Sequence, residues 1–150
     1  MANLHRLAAL VNYTHNLDPE KLRMGLWKSG VPGSQCCLVG NYTDTDQAKK
    51  DGLTPTYESI LFDKSTGMEA AIKYFEITAI EASYLFMPTV EGEFLRDDKI
   101  LYKKFYQTRL VEFLDRQIEQ AQAIQRERAA VIVEEMISAV VQNSRELEQV

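Results

Sequence analysis

Residues 107 to 149 read QTRLVEFLDRQIEQAQAIQRERAAVIVEEMISAVVQNSRELEQ, without a glycine or proline among them. Leu110, Leu114, Ile118, Ala121, Ala129, Ile132, Met136, Val140 and Leu147 recur at three- and four-residue spacing, and Gln125 and Asn143 fill the remaining places of the register. That spacing is the periodicity of one helix face. The stripe repeats about every eleven residues, close to the natural helical repeat, so the seam runs nearly straight, whereas a strict heptad winds left-handed. Ala130, Val131, Val133, Ile137 and Val141 widen the apolar face around residues 129 to 141, as in a helix that packs against more than one neighbour.

Length gives the stripe its meaning. A compact domain of 150 residues measures ~40 Å across, whereas residues 107 to 149 as one helix span ~64 Å at ~1.5 Å per residue. Such a helix outruns the domain that precedes it, and no turn signal offers a way back. The stripe from Leu114 to Leu147, with Val133 and Ile137, is therefore expected to form the interface of a homo-oligomer, a dimer being the favoured form. Pro88 and Gly92 are the last helix breakers in the chain. The expected organisation is a compact helical domain over residues 1–92 and a long helix, coiled-coil or bundle-like, over residues 93–150.

The first 92 residues also read as helical. Leu4, Leu7, Leu10 and Val11 follow Asn3, an N-cap residue, which predicts a short helix over 4–14. Asp18-Pro19-Glu20 is a helix-start signal, and Leu22, Leu26 and Trp27 behind it predict a helix over 19–28 ended by Gly30, Pro32 and Gly33. Cys36 to Val39 is an apolar run too short to assign by periodicity, either a buried helical turn or a short strand. Residues 41–67 read mostly as loop. Met68, Ala71, Ile72 and Phe75 then share a helix face, and Thr78 with Glu81 makes a capping box for a helix that ends before Pro88. The fold class is mainly α.

Composition bounds the function. The net charge is −5, and the acidity lies in the second half: residues 1–75 carry eight basic and eight acidic groups, residues 76–150 nine and fourteen. Nonspecific nucleic-acid affinity comes from clustered Lys and Arg, so nucleic acid is not the expected partner. No apolar run reaches the ~18 residues of a membrane span, and a cytoplasmic location with no membrane contact is expected. The only cysteines, Cys36 and Cys37, are adjacent, and a disulfide between neighbours is strained, so both are expected as thiols.

Motif tests point away from chemistry. Asp44-Thr45-Asp46 with Asp51-Gly52 lacks the glycine and the terminal glutamate of a calcium loop and reads as a turn that caps a helix. Gly30-Val31-Pro32-Gly33 matches no phosphate-binding loop. A thiolate needs a neighbouring base or cation, and no signature places His5 or His15 beside either cysteine. The aromatics Trp27, Tyr13 and Tyr42 read as core or rim. One patch, Lys99, Lys103, Lys104 and Arg109 interleaved with Tyr102, Phe105 and Tyr106, has the mixture that grips a phosphate backbone and stacks bases. Asp97 and Asp98 beside it favour a solvated face with its aromatics in the core.

Leu4, Leu7 and Leu10, then Cys37-Leu38-Val39-Gly40, then Gly67, Ala70-Ala71, Tyr74-Phe75, Ile77, Glu81-Ala82 and Leu85-Phe86 form a pattern over residues 4–88. It resembles a loosely defined group of small bacterial and phage proteins. The chain departs from that group in the adjacency of Cys36 and Cys37 and in Glu76, where the group carries glycine. The resemblance implies no activity and is compatible with a phage or mobile-element accessory protein. The reading is thus a non-enzymatic interaction, regulatory or inhibitor protein with an unidentified protein partner. No catalytic residue, cofactor or metal is assigned. The alternatives are nucleic-acid binding through Lys99–Arg109 and a cysteine-dependent enzyme using Cys36 or Cys37.

Overall fold

A computed structural model describes residues 1–31 and 34–149. The chain is mainly α, in the order α1 (Leu4–His15), a 3-10 turn (Pro19–Lys21), α2 (Leu38–Tyr42), α3 (Asp46–Lys50), β1 (Thr54–Pro55), β2 (Ile60–Phe62), β3 (Ser65–Thr66), α4 (Gly67–Phe75), α5 (Ala79–Phe86), α6 (Val90–Phe94) and α7 (Lys99–Glu148). It divides into two units, Met1–Leu114 and Asp115–Val150. The division falls later than the expected one after residue 92, because the first turns of α7 supply Tyr102, Tyr106, Leu110, Phe113 and Leu114 to the core of the first unit.

Helix starts were legible. Asn3 accepts from the Arg6 backbone N–H at 3.1 Å, and both halves of the Thr78–Glu81 capping box are present, at 2.9 and 3.1 Å. Each such cap satisfies donors that a helix start leaves open. The buried faces follow the three- and four-residue spacing: Leu7, Leu10 and Val11 on α1, Ala70, Ala71, Tyr74 and Phe75 on α4.

The expected helix over 19–28 stops after one 3-10 turn. Asp18 caps it as anticipated, accepting from Glu20 at 3.0 Å, but beyond Lys21 the backbone turns outward to a distant partner. The Cys36 N–H donates to Lys21 O at 3.1 Å and the Arg23 N–H to Cys36 O at 2.8 Å, making a parallel bridge between Leu22 and Cys36. Leu22 and Met24 are buried while Arg23 between them is exposed, a strand alternation in place of a helical one. Pro32 and Gly33, read as helix terminators, lie outside the described residues.

Residues 41–67, expected as loop, hold the end of α2, the short helix α3 and a three-stranded antiparallel sheet. Thr45 caps α3 by accepting from Ala48 at 3.2 Å, so Asp44-Thr45-Asp46 is a capped turn. In the sheet Thr54 pairs with Leu61, Pro55 with Ile60, Leu61 with Thr66 and Phe62 with Ser65. Asp63 and Lys64 link β2 to β3 with φ of 47° and 66°. Positive φ at both central residues is the hairpin geometry whose twist matches the strands, and strands this short leave almost no periodic trace in sequence.

Candidate association surface

The side chains that the sequence singles out separate into three environments. The first is the cysteine turn. Asn41 of α2 lies wholly inside the fold and its Nδ2 is shared among Lys21 O at 3.1 Å, Cys36 O at 2.9 Å and Cys37 O at 3.0 Å. Cys37 caps α2, its Sγ accepting from the Gly40 N–H at 3.4 Å. Both cysteines are free and buried. Burial raises the Cys36 thiol above its ordinary value, with Lys28 opposing and Asp44 reinforcing. Burial pushes the Cys37 thiol up to about 12 against the Gly40 hydrogen bond. His5 and His15 are exposed on α1, and a nucleophile needs a lowered pKa, the reverse of what this turn provides. Its residues do structural work.

The second is the Lys99–Arg109 patch, which the start of α7 disperses. Tyr102 and Tyr106 are fully buried; the Tyr102 hydroxyl accepts from the Met24 N–H at 2.9 Å, and Tyr106 accepts from the Thr89 N–H at 3.1 Å while donating to Glu93 at 2.9 Å. Lys103 donates to Leu17 O at 2.7 Å and His15 O at 3.4 Å, closing the end of α1. Arg109 lies over the rings of Tyr84 at 4.5 Å and Phe105 at 5.1 Å and donates to Tyr84 O at 3.1 Å. Lys99 sits 5.7 Å from the Tyr102 ring centre, and Lys104 alone of the seven cations and aromatics of the patch stands exposed. These groups lock α7 into the domain rather than present one cationic face.

The third is the C-terminal stretch of α7. Leu114, expected in an interface, is 8% exposed and belongs to the core of Met1–Leu114. Ile118 and Ala121 are half-buried. Beyond them the character changes: Ala129 is exposed, Ile132 is 55% exposed, Met136 63%, Val140 64% and Leu147 77%, and Val133, Ile137 and Val141 are exposed beside them. No residue described in Asp115–Val150 is buried. Val133, Met136, Ile137, Val140 and Val141 line a shallow, almost wholly apolar depression on the helix. At ~100° per residue, the apolar side chains from Ala129 to Val141 cover about 200° of the circumference, leaving Glu134, Ser138 and Glu135 in the remaining arc with Val131. Contiguous exposed apolar surface is uncommon on monomeric proteins and is a general feature of association and ligand surfaces.

The signal that found this surface was periodicity; the dispersal of the basic patch had none, since it depends on which carbonyls α1 leaves open. Comparison with protein-family models, with curated proteins and with solved structures finds no match to this chain. Among the described residues no helix is long and apolar enough to cross a membrane.

Proposed function

We propose that this is a non-catalytic association protein, whose C-terminal helix joins copies of the chain and whose N-terminal domain, carried on that assembly, meets a second protein in a regulatory or inhibitory role. One observation carries the reading: the exposed apolar band of residues 129–141. Leaving Ile132, Val133, Met136, Ile137 and Val140 in water forgoes roughly 1.5–3 kcal/mol for each side chain that association would bury, and a second copy offers the same band. The buried thiols with raised pKa values and the dispersed cations support a binding role over nucleophilic catalysis or nucleic-acid binding. Two free cysteines fit a reducing, cytoplasmic location.

The test is sedimentation velocity on the full chain and on the Val133→Glu/Ile137→Glu variant, both side chains lying in the exposed apolar band. The wild type should sediment as an oligomer at micromolar concentration. The variant, which places two carboxylates in a desolvated seam at a cost of several kcal/mol, should sediment as a monomer with an unchanged far-ultraviolet spectrum. A monomeric wild type, or an oligomer that survives both changes, overturns the proposal.

A further inference from the structure

One line of the apolar band has a symmetric apolar centre and ends in opposite charges. Arg126, Ala130, Val133, Ile137, Val141, Ser144 and Glu148 follow one another at spacings of 4-3-4-4-3-4, symmetric about Ile137. All seven are exposed on α7. Because Ile137 lies eleven residues from each end, the line drifts by only about 40° over its length at ~100° per residue. It therefore stays on one side of a straight helix.

From the matched apolar centre of this line and the opposite charges at its ends, Arg126 and Glu148, we infer that α7 pairs with α7 of a second copy in an antiparallel, two-fold arrangement whose axis passes through Ile137. This rests on the proposed self-association and gives it a direction and a register. Under that axis each residue meets the one equally far on the other side. Ile137 packs on the partner's Ile137, and Val133 on the partner's Val141. Ala130 faces the partner's Ser144, two small side chains that let the helix axes approach. Arg126 faces the partner's Glu148, and the two-fold makes this ion pair twice. Among the described residues no ion pair within the chain engages either Arg126 or Glu148, so both charges are free for the partner. A parallel pair in register would set Arg126 against Arg126 and Glu148 against Glu148. Charge complementarity thus selects the second copy as occupant and the antiparallel direction over the parallel one.

The neighbouring line through Ile132, Met136 and Val140 has the same spacing about Met136 but ends in Gln125 and Leu147, which carry no complementary charge. It is the Ile137 line that specifies the register.

The inference is tested on the full chain by charge exchange and by one distance. Arg126→Glu and Glu148→Arg should each weaken self-association by about tenfold at low salt, and the double exchange should restore it, since the pair is remade with its sign reversed. A nitroxide on Glu127→Cys, with Cys36 and Cys37 replaced by alanine, lies ten residues from the axis. Spin-spin measurements should place the two labels about 30 Å apart, twenty residues of helix rise. A separation of about 10 Å, the distance between packed helix axes, or single exchanges without effect in an intact oligomer, would overturn the antiparallel register while leaving self-association standing. A monomeric wild type would overturn both.

Discussion

Glu76 ends α4 at φ 55°, ψ 48°, the left-handed region that glycine adopts without strain. Its carboxylate accepts from Asn3 Nδ2 at 2.7 Å, and the Asn3 N–H donates to Phe75 O at 2.8 Å, so the helix end is tied to the start of α1. Left-handed backbone costs an L-residue roughly 1–2 kcal/mol, and a β-branched one more. Glu76→Val should therefore lower stability by about 2 kcal/mol, while Glu76→Gly stays within about 1 kcal/mol of the wild type, as urea unfolding would measure. The cysteines make a second residue-scale case. With Cys37 at about 12, its thiolate is about one part in ten thousand at pH 8, and Cys36 is raised as well. Alkylation at pH 8 should be far slower in the native state than for a free thiol and should accelerate sharply in denaturing urea. Fast native modification that tracks a loss of binding would point to a reactive thiol instead. That the cysteines are buried was legible from their apolar neighbours; that Cys36 bridges to Leu22 was not, because it depends on a segment fourteen residues away, and that Cys37 caps α2 was not, because cysteine is not among the residue types that signal a cap.

At the scale of elements, the chain obeys its local signals where the partners are local and departs from them where the partners are distant. Helices α1, α4 and α5 begin at Asn3, Thr66 and Thr78 within a residue or two of the sequence reading, since caps and helix faces act within one turn. The segment after Lys21 has a helical start but gives its hydrogen bonds to Cys36, a contact no window of neighbours contains. Gly40 shows how tightly that segment lies on α2. A Cβ there would sit 1.7 Å from Trp27 O, backbone against backbone, and neither side can yield without parting the two elements. Gly40→Ala should destabilise the domain by about 3 kcal/mol, measured by urea unfolding, whereas alanine at Gly52, whose nearest neighbour is the Phe62 ring at 3.9 Å, meets no such clash and carries only its backbone penalty at φ 89°. A Gly40→Ala variant as stable as the wild type would mean that α2 is not seated as described.

For the whole molecule, the last buried residue described is Leu114, so a chain truncated after Gln122 keeps every side chain of the core and loses the apolar band. It should remain folded and soluble, with a thermal midpoint close to that of the wild type at equal monomer concentration apart from any stabilisation by association, and it should be monomeric by light scattering. A truncated chain that unfolds or still associates would place the interface in the domain instead. The sequence by itself determined the class of the fold, the starts of α1, α4 and α5 and the surplus apolar stripe, because periodicity, capping and the absence of breakers are properties of neighbours along the chain. Only the tertiary structure decided that Leu114 belongs to the domain core, that Lys103 and Arg109 are held by contacts within it, that residues 22–24 run extended, and that residues 54–66 form a sheet. Each of those depends on which distant backbone groups and apolar surfaces come to lie opposite one another, and burial and hydrogen bonding between remote segments outweigh local preference there.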